Sequence, residues 1–445
     1  MTSANAKLIK FFEGACFENL PPAVIHQTKR ACLDTLGCIL AGLSTPLGKS
    51  VLTLSRQLPF PNGATVPGIN HGVVPNMAAT TNGFLANALD ADDGHRMSRV
   101  HNGGILFPAV FAAAQSRSRS GRDAICAATI GYEIGLRAGM ALNNSGEIYY
   151  GSAHGGTYSA AAATGYLMGL KPADIINALG IVEIQAPSCQ LMGWVNARKI
   201  PMIKEGMGWA ANTGYTAALM AAHGITGTLT LYETFSAEAQ INELGSDYQI
   251  LKTYFKPFAS CRWTQGPIEN LIKIRTSHRL DPDEIATIQV RTPDKAANLD
   301  TIYPLSPEDA QYSIPFTLGA VLAYGKVGPA EMSIDRLKDP KILKVAEKVA
   351  VLADPAMQAL YPRQVATAVT VRTYGGKTYT AENKKISGDW DQPMTDQELS
   401  DKFTAYAAPV LGHQQADDVC NQIMALEQVA DINDLLMPLA SIRID

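Results

Sequence analysis

The chain has 445 residues, and 41 acidic against 37 basic side chains leave a formal charge of −4. No polybasic or polyacidic run occurs, so neither nucleic acid nor a membrane surface has an electrostatic footprint here, and neither is expected as a partner. Hydrophobic residues make up 47% and charged residues only 18%, which suits packed helices in two domains, with outer faces buried in a homodimer.

The opening segment, MTSANAKLIKFFEGACFENL, carries Lys7 inside its apolar part and predicts an amphipathic helix rather than a signal peptide. No uninterrupted apolar run reaches the roughly 18 residues of a membrane span, and a cytoplasmic location is expected. The cysteines, at positions 16, 32, 38, 126, 189, 261 and 420, form no CxxC or His/Cys spacing. They read as reduced core residues, with no metal site.

From Pro21 an apolar stripe through Val24, Ile25, Ala31, Cys32, Leu36, Ile39 and Leu40 predicts a helix, with Pro at its start and Gly42 near its end. Residues 59–75 are rich in Pro, Gly and Asn and read as loop or short strand. Helical periodicity resumes over 76–89.

The next stretch, ALDADDGHRMSRVHNGGILFPAVFAAA (88–114), crowds Asp90, Asp92, Asp93, His95, Arg96, Arg99 and His101 between two helices. Asp90 and His101 can meet across the loop as a carboxylate orienting an imidazole for general acid/base work. A helix end followed by an acidic turn is the plainer reading, and nothing but position marks His95.

Helical patterns with small residues follow over 105–116, 123–143, 156–168 and 172–189, as expected of closely stacked helices. His154, in SAHGGTYSAAAATG, stands at a predicted helix start, where a carboxylate ligand would suit the free N–H groups. The stretch WVNARKIPMIKEGMGWAANTG sets Arg198, Lys199 and Lys204 before another Gly/Ala-rich helix, either as an anion clamp or as a solvated cluster. FKPFASCRWTQGPIEN (255–270) brings Lys256, Ser260, Cys261, Arg262 and Trp263 to a junction, a favoured place for a cleft. There Cys261 is open to reading as a low-pKa thiolate or as an inert core thiol.

Beyond about residue 262 the texture changes. ATIQVRT (286–292) alternates like a strand, 313–325 and 341–352 read as helices, and ATAVTVRTYGGKTYTAEN (366–383) reads as a hairpin around Gly375-Gly376. From Met394 the chain returns to helices with Thr and Asp caps. Dinucleotide, P-loop, serine-hydrolase and zincin motifs are absent from the sequence, which leaves an acid/base enzyme without a cofactor.

Taken together, ALDADDGHRMSRVHNGGILFPAVFAAA, GYEIGLR, HGGTYSAAAATGYLMGL, KEGMGWAANTG, KPFASCRW, AQYSIPFTLGAVLAYG and PMTDQELSDKF resemble the MmgE/PrpD family over nearly the whole length. Members of that family dehydrate 2-methylcitrate, decarboxylate cis-aconitate or epimerise iminodisuccinate. The resemblance implies a mainly α protein: a large all-helical domain from 1–262 and 395–445, and a smaller α+β lid domain from 263–394. It also implies a homodimer and a site at the domain junction with no metal or organic cofactor.

By position, it implies that Asp90, His101, His154 and Lys204 are catalytic, and that Lys199, Lys256, Cys261 and Arg262 bind substrate, with Lys199 an alternative to Lys204. The sequence departs from the decarboxylases at Gly94 (Thr there), Cys261 (His) and Phe316 (Tyr). The expected reaction is lyase chemistry on a small di- or tricarboxylic acid, with dehydration first, decarboxylation next, and epimerisation or silent carboxylate binding as alternatives.

Overall fold

The computed structural model describes residues 3–144, 151–189, 191–234 and 237–443. The fold is mainly α with a small α+β part, as the patterns predict. Taken singly, no described helix is long and apolar enough to cross a membrane.

A buried helix, Pro22–Gly42, runs through the middle of the larger body. Around it pack Pro75–Asn87, Gly103–Gln115 and Gly121–Asn144, and on these in turn pack Gly151–Leu167 and Met207–Ala222. Small residues make this crowding possible: a Cβ on Gly83 would lie 2.7 Å from the Cα of Gly208, so the two helices carrying them cross backbone to backbone. The Gly151–Leu167 helix begins five residues earlier than its periodicity suggested, which puts His154 inside the first turn rather than ahead of it.

Beyond the junction, Ile285–Thr292 pairs antiparallel with Thr367–Thr373, which pairs antiparallel with Thr378–Asn383 in the predicted hairpin. The expected helix over 341–352 is corrected. Only Pro340–Ala346 is helical, and Val349–Ala353 forms a strand parallel to Ile285–Thr292. The run VAVLA has two β-branched valines at alternate positions, and an open sheet edge rewards extension there.

The Arg262–His278 and Ile314–Tyr324 helices cover this sheet and share its core, which also takes in Cys38, Ala41, Leu89 and Ala91 from the helical body. The returning helix Asp396–Leu411 opens with a Thr395/Glu398 capping box and packs along Pro22–Gly42. Gly94–His95 of the acidic loop pairs with Thr253–Tyr254 of the junction in a two-stranded ladder, and this pairing brings the two motif segments together.

Candidate active site

Asp90, Asp92 and Asp93 end the helix Pro75–Asn87 and turn in front of the Gly103–Gln115 helix. Asp90 itself takes a left-handed backbone, φ +52°. Each carboxyl is buried and each has a different partner. Asp93 accepts the N–H of Gly103 at 2.7 Å and the hydroxyl of Tyr132, so it caps the following helix. Burial pushes its pKa up to about 7 against the pull of those two donors. Asp92 accepts from Asn87 Nδ2 at 2.9 Å.

Asp90 is gripped by Lys256. That lysine is fully buried, donates to Asp90 Oδ1 and lies 3.8 Å from Asp92 Oδ1. Burial penalises the Asp90 carboxylate, but Lys256, Lys204 and His101 outweigh it and hold the pKa below the usual carboxylate range. Burial works against the Lys256 ammonium as well, yet Asp90 and Asp92 raise its pKa above the ordinary lysine value.

His101 is half-buried, and its Nδ1 faces two groups of opposite demand. The Lys256 ammonium lies 3.4 Å away and the Asp92 carboxylate 3.8 Å away. Accepting from Lys256 leaves the ring proton on Nε2, whereas a proton on Nδ1, facing Asp92 across a gap too long for a hydrogen bond, leaves a lone pair on Nε2. The same nitrogen can therefore offer or take a proton. Asp90 does not meet His101 as the spacing suggested, because Lys256 stands between them. Asp90, Asp92 and His101 are close enough to share a metal ion, but the lysine ammonium already occupies the position of a cation among them.

Asp90 and His101 lie on the wall of a cleft of about 620 Å³, open mouth included. The opposite elements contribute Cys261, Arg262, Tyr312 and Tyr361, and Arg96 and Arg99 come from the acidic loop itself. Arg262 pairs with the buried Asp389 at 2.6 Å and lies over the Tyr254 ring at 4.7 Å. Arg96 reaches the same Asp389 at 3.5 Å. Nη1 of Arg96 and Nε of Arg262 are buried with no hydrogen-bond partner among the described residues. Buried guanidinium groups left unsatisfied beside a cleft suit an anion.

The remaining predicted residues are distributed as follows. Lys204 is buried behind Asp90 and donates to the carbonyl of Asn87; burial lowers its pKa although Asp90 and Glu308 pull it up. Lys199 is exposed. His154 stacks on Tyr158 with ring centroids 6.5 Å apart, and burial lowers its pKa. Lys204, Lys256 and His154 are not among the described residues that line the cleft.

Cys261 does line it, but burial pushes its thiol pKa up, which favours the inert core thiol over the thiolate. Burial and the nearby cations Lys252 and Arg96 bring His95 down to about 3, so this histidine stays neutral. Phe316 is buried in the Ile314–Tyr324 helix.

Sequence reasoning missed Tyr254, Glu205, Asp389 and Tyr312, and it ranked Arg96 and Arg99 only as members of the loop. Glu205 had one signal, its place beside Lys204 at a helix entrance. Asp389 had none, since its meaning depends on a loop that returns from beyond the sheet. Gly94 has a structural reason: a Cβ there would lie 2.4 Å from the Tyr254 hydroxyl, which fills the space a side chain would need.

Comparison with known proteins gives two family matches, the MmgE/PrpD N-terminal domain over residues 6–242 and the MmgE/PrpD C-terminal domain over residues 258–426. A cis-aconitate decarboxylase of Aspergillus terreus is 25% identical, across 98% of this chain and 95% of its own. The Homo sapiens cis-aconitate decarboxylase is 23% identical, across 94% and 90% respectively. A 2-methylcitrate dehydratase of Cupriavidus necator is 25% identical, across 79% of each chain.

Proposed function

The chain belongs to the MmgE/PrpD family, and from that premise we propose that it is a cofactor-independent lyase acting on a small di- or tricarboxylic acid, by dehydration of the 2-methylcitrate type. One observation carries the reading: His101, its Nδ1 between the Lys256 ammonium and the Asp92 carboxylate, lines a cleft in which Arg96 and Arg262 have buried N–H donors without hydrogen-bond partners among the described residues. Arg96, Arg99 and Arg262 hold the substrate carboxylates. With its carboxylates fixed, a substrate presents the acidic C–H beside one of them to the imidazole, and the cations stabilise the charge that develops as the proton leaves.

In this scheme Lys256, Asp90 and Asp92 set the state of His101 rather than touch the substrate, and Lys204 supports Asp90 from behind. His154, which is not among the described residues that line this cleft, is kept as a second proton-transfer or carboxylate-binding group on the strength of the family resemblance alone. Decarboxylation of the cis-aconitate type is the second reading, favoured by decarboxylase relatives that match almost the full length. Against it stands Gly94, where the decarboxylases carry Thr and where the Tyr254 hydroxyl fills the space a side chain would need. We also propose a second copy of this chain as partner, since Met202, Ile203 and Trp209, close in sequence, are all exposed large apolar side chains.

Mass spectrometry of the purified protein incubated with citrate, 2-methylcitrate, cis-aconitate and iminodisuccinate tests the reading. Loss of water from a hydroxylated acid is the expected result. Loss of carbon dioxide from cis-aconitate selects the second reading, and a product of unchanged mass selects epimerisation.

A further inference from the structure

One carboxyl group on the cleft wall has no part in the scheme above. Glu205 follows Lys204 at the entrance to the Met207–Ala222 helix, is 5% exposed, and lines the same cleft as Asp90, His101 and Arg262. Its two chain neighbours, Lys204 at φ +43° and Gly206 at φ +75°, both have left-handed backbones. A non-glycine residue in that region costs conformational energy, which the packing around this turn must offset in order to present the carboxyl where it is.

Oε2 of Glu205 accepts the backbone N–H of Ser152, in the first turn of the Gly151–Leu167 helix. Oγ of the same serine accepts the backbone N–H of His101 at 3.2 Å. Ser152 thus ties the Glu205 carboxyl and the His101 backbone to one frame. Burial raises the Glu205 pKa against the pull of His101 and of the Ser152 N–H, so this group holds a proton more readily than a surface glutamate does. A carboxyl among guanidinium groups gains nothing by facing a substrate carboxylate. It is suited to a hydroxyl.

Resting on the dehydration reading, we infer that Glu205 is the general acid that protonates the departing hydroxyl of a β-hydroxy polycarboxylate, while His101 takes the proton from the α-carbon. The step balances without a further reactant. The α-carbon proton passes first to His101 Nε2, leaving the C–H electron pair on the carboxylate-stabilised carbon, and that pair then becomes the new π bond. The C–O bond breaks with its electron pair on oxygen, and that oxygen takes the Glu205 proton and leaves as water. Glu205 ends as carboxylate and His101 as imidazolium, with Nδ1–H toward Asp92. Solvent returns one proton and removes the other.

The test uses the purified Glu205→Gln variant with citrate and with 2-methylcitrate in deuterated water. Alkene formation and deuterium at the α-carbon of recovered substrate are read in parallel. Gln keeps an oxygen to accept the Ser152 N–H but has no acidic proton. The expected result is alkene formation slower by about 100-fold or more, retained deuterium exchange, an unchanged melting temperature, and partial recovery in Glu205→Asp.

Elimination by Glu205→Gln at the wild-type rate overturns the assignment and leaves the lyase reading intact. Parallel loss of exchange and elimination in both variants also overturns it, because that is the signature of a helix cap whose removal disorders the site. Failure of the wild-type protein to eliminate water from either acid overturns the dehydration reading before any substitution is made, and this role falls with it.

Discussion

Lys256 stands between Asp90 and His101, donating to the carboxylate on one side and reaching Nδ1 of the ring at 3.4 Å on the other. A fully buried ammonium in that place does two things. It neutralises an acid that could not stay ionised alone, and it gives the histidine a partner that competes with Asp92.

Replacing Lys256 with Met removes that charge and leaves Asp90 and Asp92 buried without it. Breaking one side of a buried ion pair costs about 3–5 kcal/mol. Urea unfolding of Lys256→Met is expected to show a loss of that size together with loss of turnover. Lys256→Arg is expected to keep the charge but not the activity, because the planar fork cannot reproduce a point contact on both Asp90 and His101.

The two histidines of the acidic loop are expected to behave differently. His101→Asn should lower kcat by about 10²–10⁴-fold, the usual worth of a positioned acid/base group. His95 is already neutral down to about pH 3, and its Nδ1 accepts the backbone N–H of Ser98 at 3.2 Å. His95→Asn is therefore expected to leave the inflections of the pH–rate profile where they are, and a profile that moved with His95 instead of His101 would reverse their roles.

Asp93 makes stability depend on pH with a definite sign. Its pKa is near 7 in the folded chain against about 3.9 unfolded, so the folded state holds the proton more tightly. That contribution is fully present below the unfolded value and is lost as pH rises through 7. Melting temperatures recorded between about pH 5 and pH 8 should fall for the wild type and fall less for Asp93→Asn, whose amide has no proton to lose.

Gly94 and Tyr254 should prove coupled. Gly94→Thr puts a side chain into the space of the Tyr254 ring, displacing the surface on which Arg262 rests, and is expected to abolish turnover. Pairing it with Tyr254→Ala vacates that space. Contacting residues commonly show coupling of about 0.5–3 kcal/mol, so the double variant is expected to be more stable than the sum of the single changes allows. Additive effects would show that the two positions do not share the space.

Much of this architecture was legible because local chemistry and global packing agree. The stripe from Val24 to Leu40 became the central helix, and the Gly-Gly turn at 375–376 became the hairpin that builds the sheet. The acidic loop was legible as a place but not as a set of roles. Nothing in the spacing of Asp90 and His101 reveals that a lysine more than 150 residues away stands between them. The strand at Val349–Ala353 was misread because a short apolar run satisfies both periods, and only a neighbouring strand decides between them. Arg96 and Arg262 gain their meaning from Asp389, which no local pattern singles out.

Behind the site, Lys402 on the returning helix donates to Asp34 at 2.6 Å and to the carbonyl of Ala91 at 2.7 Å, between Asp90 and Asp92. Asp34 and Ala91 precede Lys402 by 368 and 311 residues. On the ribosome both emerge long before the cation that completes them, so Asp34 must remain hydrated or protonated until Lys402 appears. The helical body can collapse early, but Asp34 and the Ala91 carbonyl receive their shared cation only once the Asp396–Leu411 helix has been made. A product truncated before Lys402 would keep Asp93 on Gly103 and Lys256 on Asp90 but would lack the cation that joins Asp34 to the Ala91 carbonyl.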